Sequence, residues 1–78
     1  MKIWVDDIRT PPDDHWNWFE TSRDTIAFLE LVKSDGLSVE RMSLDHDLGM
    51  ITYMQVGDTT RPIVLWMCEN NWWPTEVV

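Results

Sequence analysis

Two short strand-like segments of this chain run directly into aspartates, and that pairing constrains its fold more than any other feature. Lys2-Ile3-Trp4-Val5 leads into Asp6-Asp7, and residues 39–45, with Met42 and Leu44 on one face, lead into Asp45-His46-Asp47. Both segments are too short for helices and read as strands. Thr10-Pro11-Pro12-Asp13-Asp14 stops the first with two prolines and an acidic turn. Between them, Trp16, Trp18 and Glu20 alternate with Asn17, Phe19 and Thr21, so residues 15–21 suit another strand rich in β-favouring aromatics. Thr21 or Ser22 then caps a helix over residues 22–34. Asp24 in its first turn complements the dipole, Ile26, Leu29 and Val32 share a face, and Gly36 stops it.

Residues 50–58 show no clean periodicity and read as a loop. Thr59 or Thr60 is placed to cap a second helix with Pro62 in its first turn, where the missing N–H costs little. Ile63, Trp66, Met67 and Asn70 recur at helical spacing, Pro74 is expected to end the element, and residues 75–78 begin another strand. The order strand, strand, helix, strand, helix, strand predicts an α/β layer with at least partly parallel pairing. The chain, residues 1–78, is short enough to form one domain. It contains no internal repeat, linker or low-complexity segment.

Fourteen acidic against six basic side chains give a formal charge of −8. That excess disfavours direct DNA or RNA binding, which rests on cationic side chains displacing counterions from phosphates. Divalent cations, a basic protein surface, or a phosphorylated ligand held through a metal remain compatible with it. Six tryptophans exclude a disordered acidic tail, which lacks aromatics. Cys68 is the single cysteine, so no intrachain disulfide staples the core, and one unpaired thiol fits a reducing, cytoplasmic setting. No membrane association is expected. The longest apolar run, Ile63 to Cys68, falls far short of the ~20 residues a span needs, and Asp6-Asp7 interrupt any signal-like run.

In open α/β sheets ligands gather outside the carboxyl ends of the strands. If the strands ending at Asp6-Asp7 and at Asp45-x-Asp47 are parallel neighbours, their carboxylates converge. Such groups repel unless a cation sits between them or one holds a proton. A hard, oxygen-binding cation such as Mg2+ is the natural resident, keeping several waters and a phosphate oxygen. The alternative is that these aspartates are solvated turn residues. His46 offers a general acid or a partner for a neighbouring carboxylate, and Arg9 offers a phosphate clamp or a counter-charge for the acidic loop. Asp45-x-Asp47 followed by Gly49 has some likeness to a calcium loop, but the missing Gly spacing and distal Glu disfavour an EF-hand. His15, His46 and Cys68 lack the spacing of a zinc site. Trp16, Trp18 and Trp66 read as core residues rather than base-stacking platforms. Trp72 and Trp73, beside Pro74, cannot both face one small core, so one is expected to project into an interface or a ligand.

Trp4-Val5-Asp6-Asp7-Ile8-Arg9-Thr10-Pro11-Pro12 and Ser43-Leu44-Asp45-His46-Asp47-Leu48-Gly49 together resemble the signatures of the cyclic-phosphate-processing receiver-like family, a reduced relative of response-regulator receiver domains. The resemblance takes in Trp16-x-Trp18, the helix from Ser22 and the Val64-Leu65-Trp66 helix, and so spans nearly the whole chain. It implies a reduced receiver-like (flavodoxin-like) fold with a short, mostly parallel sheet and about two helices. It further implies that Asp6, Asp7 and Asp45 hold Mg2+ and that Asp45 is the acceptor-like residue. His46 stands beside Asp45 as a second candidate catalytic group, and Arg9 and Asp47 would face the ligand. Receivers also use a Ser or Thr after the fourth strand and a Lys after the fifth to hold phosphoryl oxygens. The sequence stops at Val78, where the fourth strand would begin, so the fold is expected to be incomplete there.

Three functions fit these features. The leading one is a domain that binds Mg2+ and, through it, a phosphorylated small molecule, either a cyclic phosphate or a nucleotide. If it is an enzyme, it is a metal-dependent phosphate-processing one, with binding favoured over turnover for want of the partners that stabilise transferred phosphoryl charge. A second is a small acidic interaction protein that mimics nucleic acid, as a viral inhibitor of a host defence enzyme would. A third is a truncated receiver serving only as a dimerisation module. The missing strands are expected to leave Leu44, Ile63, Trp66 and Met67 uncovered. That would favour a homodimer with residues 75–78 and Trp72-Trp73 near the contact.

Overall fold

The computed structural model describes residues 1–45, 47–51 and 56–78, with side chains throughout except at 47, 49–51 and 56. The elements in chain order are β1 (Lys2–Val5), β2 (Trp16–Phe19), α1 (Ser22–Ser34), β3 (Arg41–Leu44), β4 (Asp47–Ile51), β5 (Val56–Thr59), α2 (Arg61–Asn70) and β6 (Glu76–Val77). Four strands form a parallel sheet in the order β2-β1-β3-β6, and β4 and β5 form a separate antiparallel ladder. This is the small α/β layer with two helices that the order of segments implies. No helix among the described residues is long and apolar enough to cross a membrane.

Alternation along β1 decides which face of the sheet is covered. Ile3 and Val5 are buried, while Lys2 and Trp4 on the other face are half-buried. Met42 of β3 lies in register with Ile3 and is fully buried. Leu29 and Val32 of α1 and Ile63, Trp66 and Met67 of α2 join these residues in one core cluster, and the two helices touch each other. Both helices therefore lie on one face. The topology requires this: the steps from β2 to β3 and from β3 to β6 cross the sheet in the same direction, and right-handed crossovers place their helices on the same side.

The helix ends follow local chemistry. Thr21 is the cap of α1, its Oγ1 accepting the Asp24 N–H at 3.1 Å. Gly36 (φ +68°) follows the helix in the left-handed conformation, which glycine adopts without steric cost. At α2 the hydroxyl that caps is that of Thr59, which accepts the Arg61 N–H at 3.2 Å, whereas Thr60 makes no side-chain cap bond. The helix stops at Asn70, before Pro74. Asn71 turns left-handed (φ 48°) and its N–H closes on the Cys68 carbonyl, a conformation that asparagine tolerates.

Two expectations are overturned. Part of the segment 50–58, read as a loop, is strand: Met50 and Ile51 belong to β4, and residues 56–58 to β5. Residues 52–55 lie outside the described residues. The ladder register shifts between Asp47 and Met50, and such an irregularity breaks the two-residue alternation by which a strand is recognised in sequence. Nor are the apolar groups of α2 and β3 left bare. β6 pairs with β3, Val78 donates to the Met42 carbonyl at 2.8 Å, and Leu44 donates to the Val78 carbonyl at 3.1 Å. Ile63, Trp66 and Met67 are buried, and Leu44 packs against the core. Trp72 completes that core edge-on to Trp66, ring centroids 5.9 Å apart, and Trp73 projects outward, half exposed.

Candidate functional site

The strand order places β1 between its successor β2 and the later β3, so the chain leaves β1 in one direction and returns on its other side. Ligand sites of open α/β sheets form at this reversal, beyond the carboxyl ends of the strands. One step past the Val5–Leu44 register, Asp6 donates its N–H to the Phe19 carbonyl at 3.1 Å, and Asp45 donates its N–H to the Val5 carbonyl at 2.9 Å. The sheet ladder itself therefore sets Asp6 and Asp45 side by side at the reversal. Asp7 follows directly, and Asp6, Asp7 and Asp45 each offer a carboxylate oxygen within 4.8 Å of the others.

The three carboxylates differ in how they are held. Asp6 is buried, and its Oδ1 accepts the backbone N–H groups of Ile8 and Arg9, both at 2.9 Å. Its Oδ2 faces Arg9 Nε at 3.4 Å. Burial alone would raise the Asp6 pKa, but the two backbone donors and the Arg9 charge outweigh it and hold the group below the ordinary aspartate value. Asp45 is partly exposed, with Oδ1 3.7 Å from an Arg9 terminal nitrogen. Asp7 Oδ1 is buried and has no hydrogen-bond partner among the described residues. Like charges at this spacing repel by about 3 kcal/mol per pair at an effective dielectric of about 20, before solvent screening. Arg9 offsets part of that at Asp6 and Asp45.

The segment after β1 is fastened over the sheet face opposite the helices. Trp4 Nε1 donates to the Arg9 carbonyl at 2.9 Å, and Trp18 Nε1 donates to the Asp6 carbonyl at 2.8 Å. Trp4 and Trp16 meet edge to face at 5.4 Å, with the Lys2 ammonium over the Trp16 ring. The tryptophans of the first two strands thus hold the acidic turn. Trp66 is core as expected, whereas Trp18, expected in the core, is 41% exposed because its indole serves the site's backbone.

Among the residues singled out from sequence, Asp6, Asp7, Asp45 and Arg9 come together. His46 lies outside the described residues, as does the Asp47 side chain; the Asp47 backbone opens β4, paired with Thr59, rather than continuing a loop. Asp13, Asp14 and His15 form another trio within the same span, but all three are exposed. Sequence reasoning passed over Asp58, a buried carboxylate bonded to Ser22. Its position beside Thr59 and Thr60 suggests a cap for the following helix, whereas it serves the preceding one, a relation that no local spacing reveals.

No curated protein and no solved structure matches the chain. The family model described as the cyclic-phosphate processing receiver domain matches residues 1–78, and the four-stranded parallel sheet with two helices is consistent with a reduced receiver fold. The chain belongs to the cyclic-phosphate processing receiver domain family.

Proposed function

We propose that the chain binds one hard divalent cation, Mg2+ by the chemistry of its donors, between Asp6, Asp7 and Asp45, and through it a phosphorylated small molecule of the cyclic-phosphate or nucleotide class. The observation that carries this reading is the buried Asp7 Oδ1, without a hydrogen-bond partner among the described residues, in a group of three carboxylates that each offer an oxygen within 4.8 Å of the others. A buried carboxylate oxygen without a donor is costly, and a cation removes both that cost and the mutual repulsion. The donor set is all oxygen, as Mg2+ prefers, and a few carboxylates leave room for waters and a phosphate oxygen. When bound, the ion would supply charge neutralisation and orientation of the phosphate oxygens.

The remaining roles belong to the chain. The backbone donors of Ile8 and Arg9 keep Asp6 ionised and aimed. The Arg9 side chain, 76% exposed and held among the described residues by Asp6 and Asp45 at 3.4 and 3.7 Å, would turn to a phosphate once a cation replaces it between the carboxylates. Asp47 and His46 are assigned to the ligand side of the same centre, with Asp45 and His46 as the groups that would take part in any turnover. The test is calorimetric titration of metal-stripped protein with Mg2+, followed by a cyclic nucleotide. Saturable binding of one Mg2+, lost in Asp45→Asn, and cyclic-nucleotide binding only in the presence of Mg2+ are expected. Absence of saturable Mg2+ binding in the wild type would contradict the reading.

A further inference from the structure

Asp58 lies outside the acidic centre, and nothing proposed above uses it. Its carboxylate is nonetheless 5% exposed and fully engaged. Oδ2 accepts the Ser22 N–H at 2.8 Å, and Oδ1 accepts the Ser22 hydroxyl at 2.6 Å and the Thr59 N–H at 3.0 Å. Ser22 opens α1, so the charge also faces the positive end of that helix. Capping alone does not require a residue 36 positions away, because Thr21 already caps α1. What Asp58 adds is a tie between α1 and β5.

The place of that tie gives it a consequence. Thr59, next to Asp58, pairs with Asp47 across the β4–β5 ladder. Asp45, two residues before Asp47, is pinned from the other side by its bond to the Val5 carbonyl. Asp45 is thus held by the parallel sheet and Asp47 by β5, and Asp58 holds β5 on α1. We infer that Asp58, together with Ser22, is a positioning residue for the acidic centre: through the Thr59–Asp47 pairing it restrains Asp45, the cation ligand two residues before Asp47, relative to Asp6 and Asp7. The inference rests on the cation reading of that centre. Asp58 touches none of the three carboxylates and acts through backbone, as partners behind metal ligands do.

Amide hydrogen exchange and Mg2+ titration test it on the full chain, comparing the wild type with Asp58→Asn, Ser22→Ala and the core variant Val32→Ala. In Asp58→Asn and Ser22→Ala the protected amides of β4 and β5 should exchange about tenfold faster relative to those of β1 and β3. The Mg2+ Kd should rise by about tenfold, the usual effect of losing a group behind a ligand. Val32→Ala, which loosens α1 without touching the tie, should speed exchange throughout and leave the Kd of the folded protein unchanged. An Mg2+ Kd in the tie variants equal to that of Val32→Ala would overturn the inference, as would exchange that rises uniformly. If Asp58→Asn does not fold, Ser22→Ala, which removes one hydroxyl bond, decides. A wild type without saturable Mg2+ binding would contradict the cation reading instead; selective exchange in β4 and β5 would then still support the tie.

Discussion

At Asp7 the charge of the chain and the geometry of the fold are in conflict. Asp6 has two backbone donors and Arg9, and Asp45 has Arg9, but Asp7 Oδ1 is buried with neither among the described residues. In EDTA, Asp7→Asn should therefore melt higher than the wild type, with a gain of about 1 kcal/mol from relieved repulsion. In millimolar Mg2+ the order should reverse, because the wild type gains binding free energy that the variant lacks. Equal destabilisation in both buffers would identify Asp7 as a structural acceptor. Asp6 carries a separate expectation. Its pKa is lowered in the folded state, so it contributes stability that is present above the unfolded value, about 3.9, and is lost as pH falls through the lower folded value. Denaturant midpoints in EDTA should thus fall less steeply in Asp6→Asn than in the wild type as the pH drops below about 4. Parallel slopes would show that the backbone donors of Ile8 and Arg9 do not favour the ionised form.

At the scale of elements, what was legible in the sequence was what local chemistry decides. α1 begins and ends where Thr21, Asp24 and Gly36 place it, and Thr21→Ala should cost about 1 kcal/mol, lowering Tm by roughly 5 °C; an unchanged Tm would mean that the Asp58 contact alone secures that end. β1 is legible as a short apolar run and β3 from the alternation that puts Met42 and Leu44 on one face, each leading into an aspartate. β4 and β5 are not, because the register shift between Asp47 and Met50 hides their alternation. The tie between Ser22 and Asp58 spans the chain and leaves no periodic trace. Trp18 departs from its expected place for a related reason: an indole reads as core material, and only the fold shows its N–H bonded to the Asp6 carbonyl.

At the scale of the whole molecule, the candidate site depends on strand order, which composition and periodicity do not contain. The sequence places aspartates at two strand ends; only the order β2-β1-β3-β6 makes those ends neighbours at the reversal. With both helices on one face, the short β6 pairs with β3 and Trp72 packs against Trp66, and Ile63, Trp66 and Met67, expected to stand bare, are buried. The central claim is that Asp6, Asp7 and Asp45 act as one cation centre. Paramagnetic broadening by Mn2+ in amide NMR spectra tests it most directly, because it reports where an ion sits. At substoichiometric Mn2+ the amides of Asp6, Asp7 and Asp45 should broaden first, and excess Mg2+ should restore them. Broadening centred instead on the exposed trio Asp13, Asp14 and His15, or no localised broadening at all, would contradict the account.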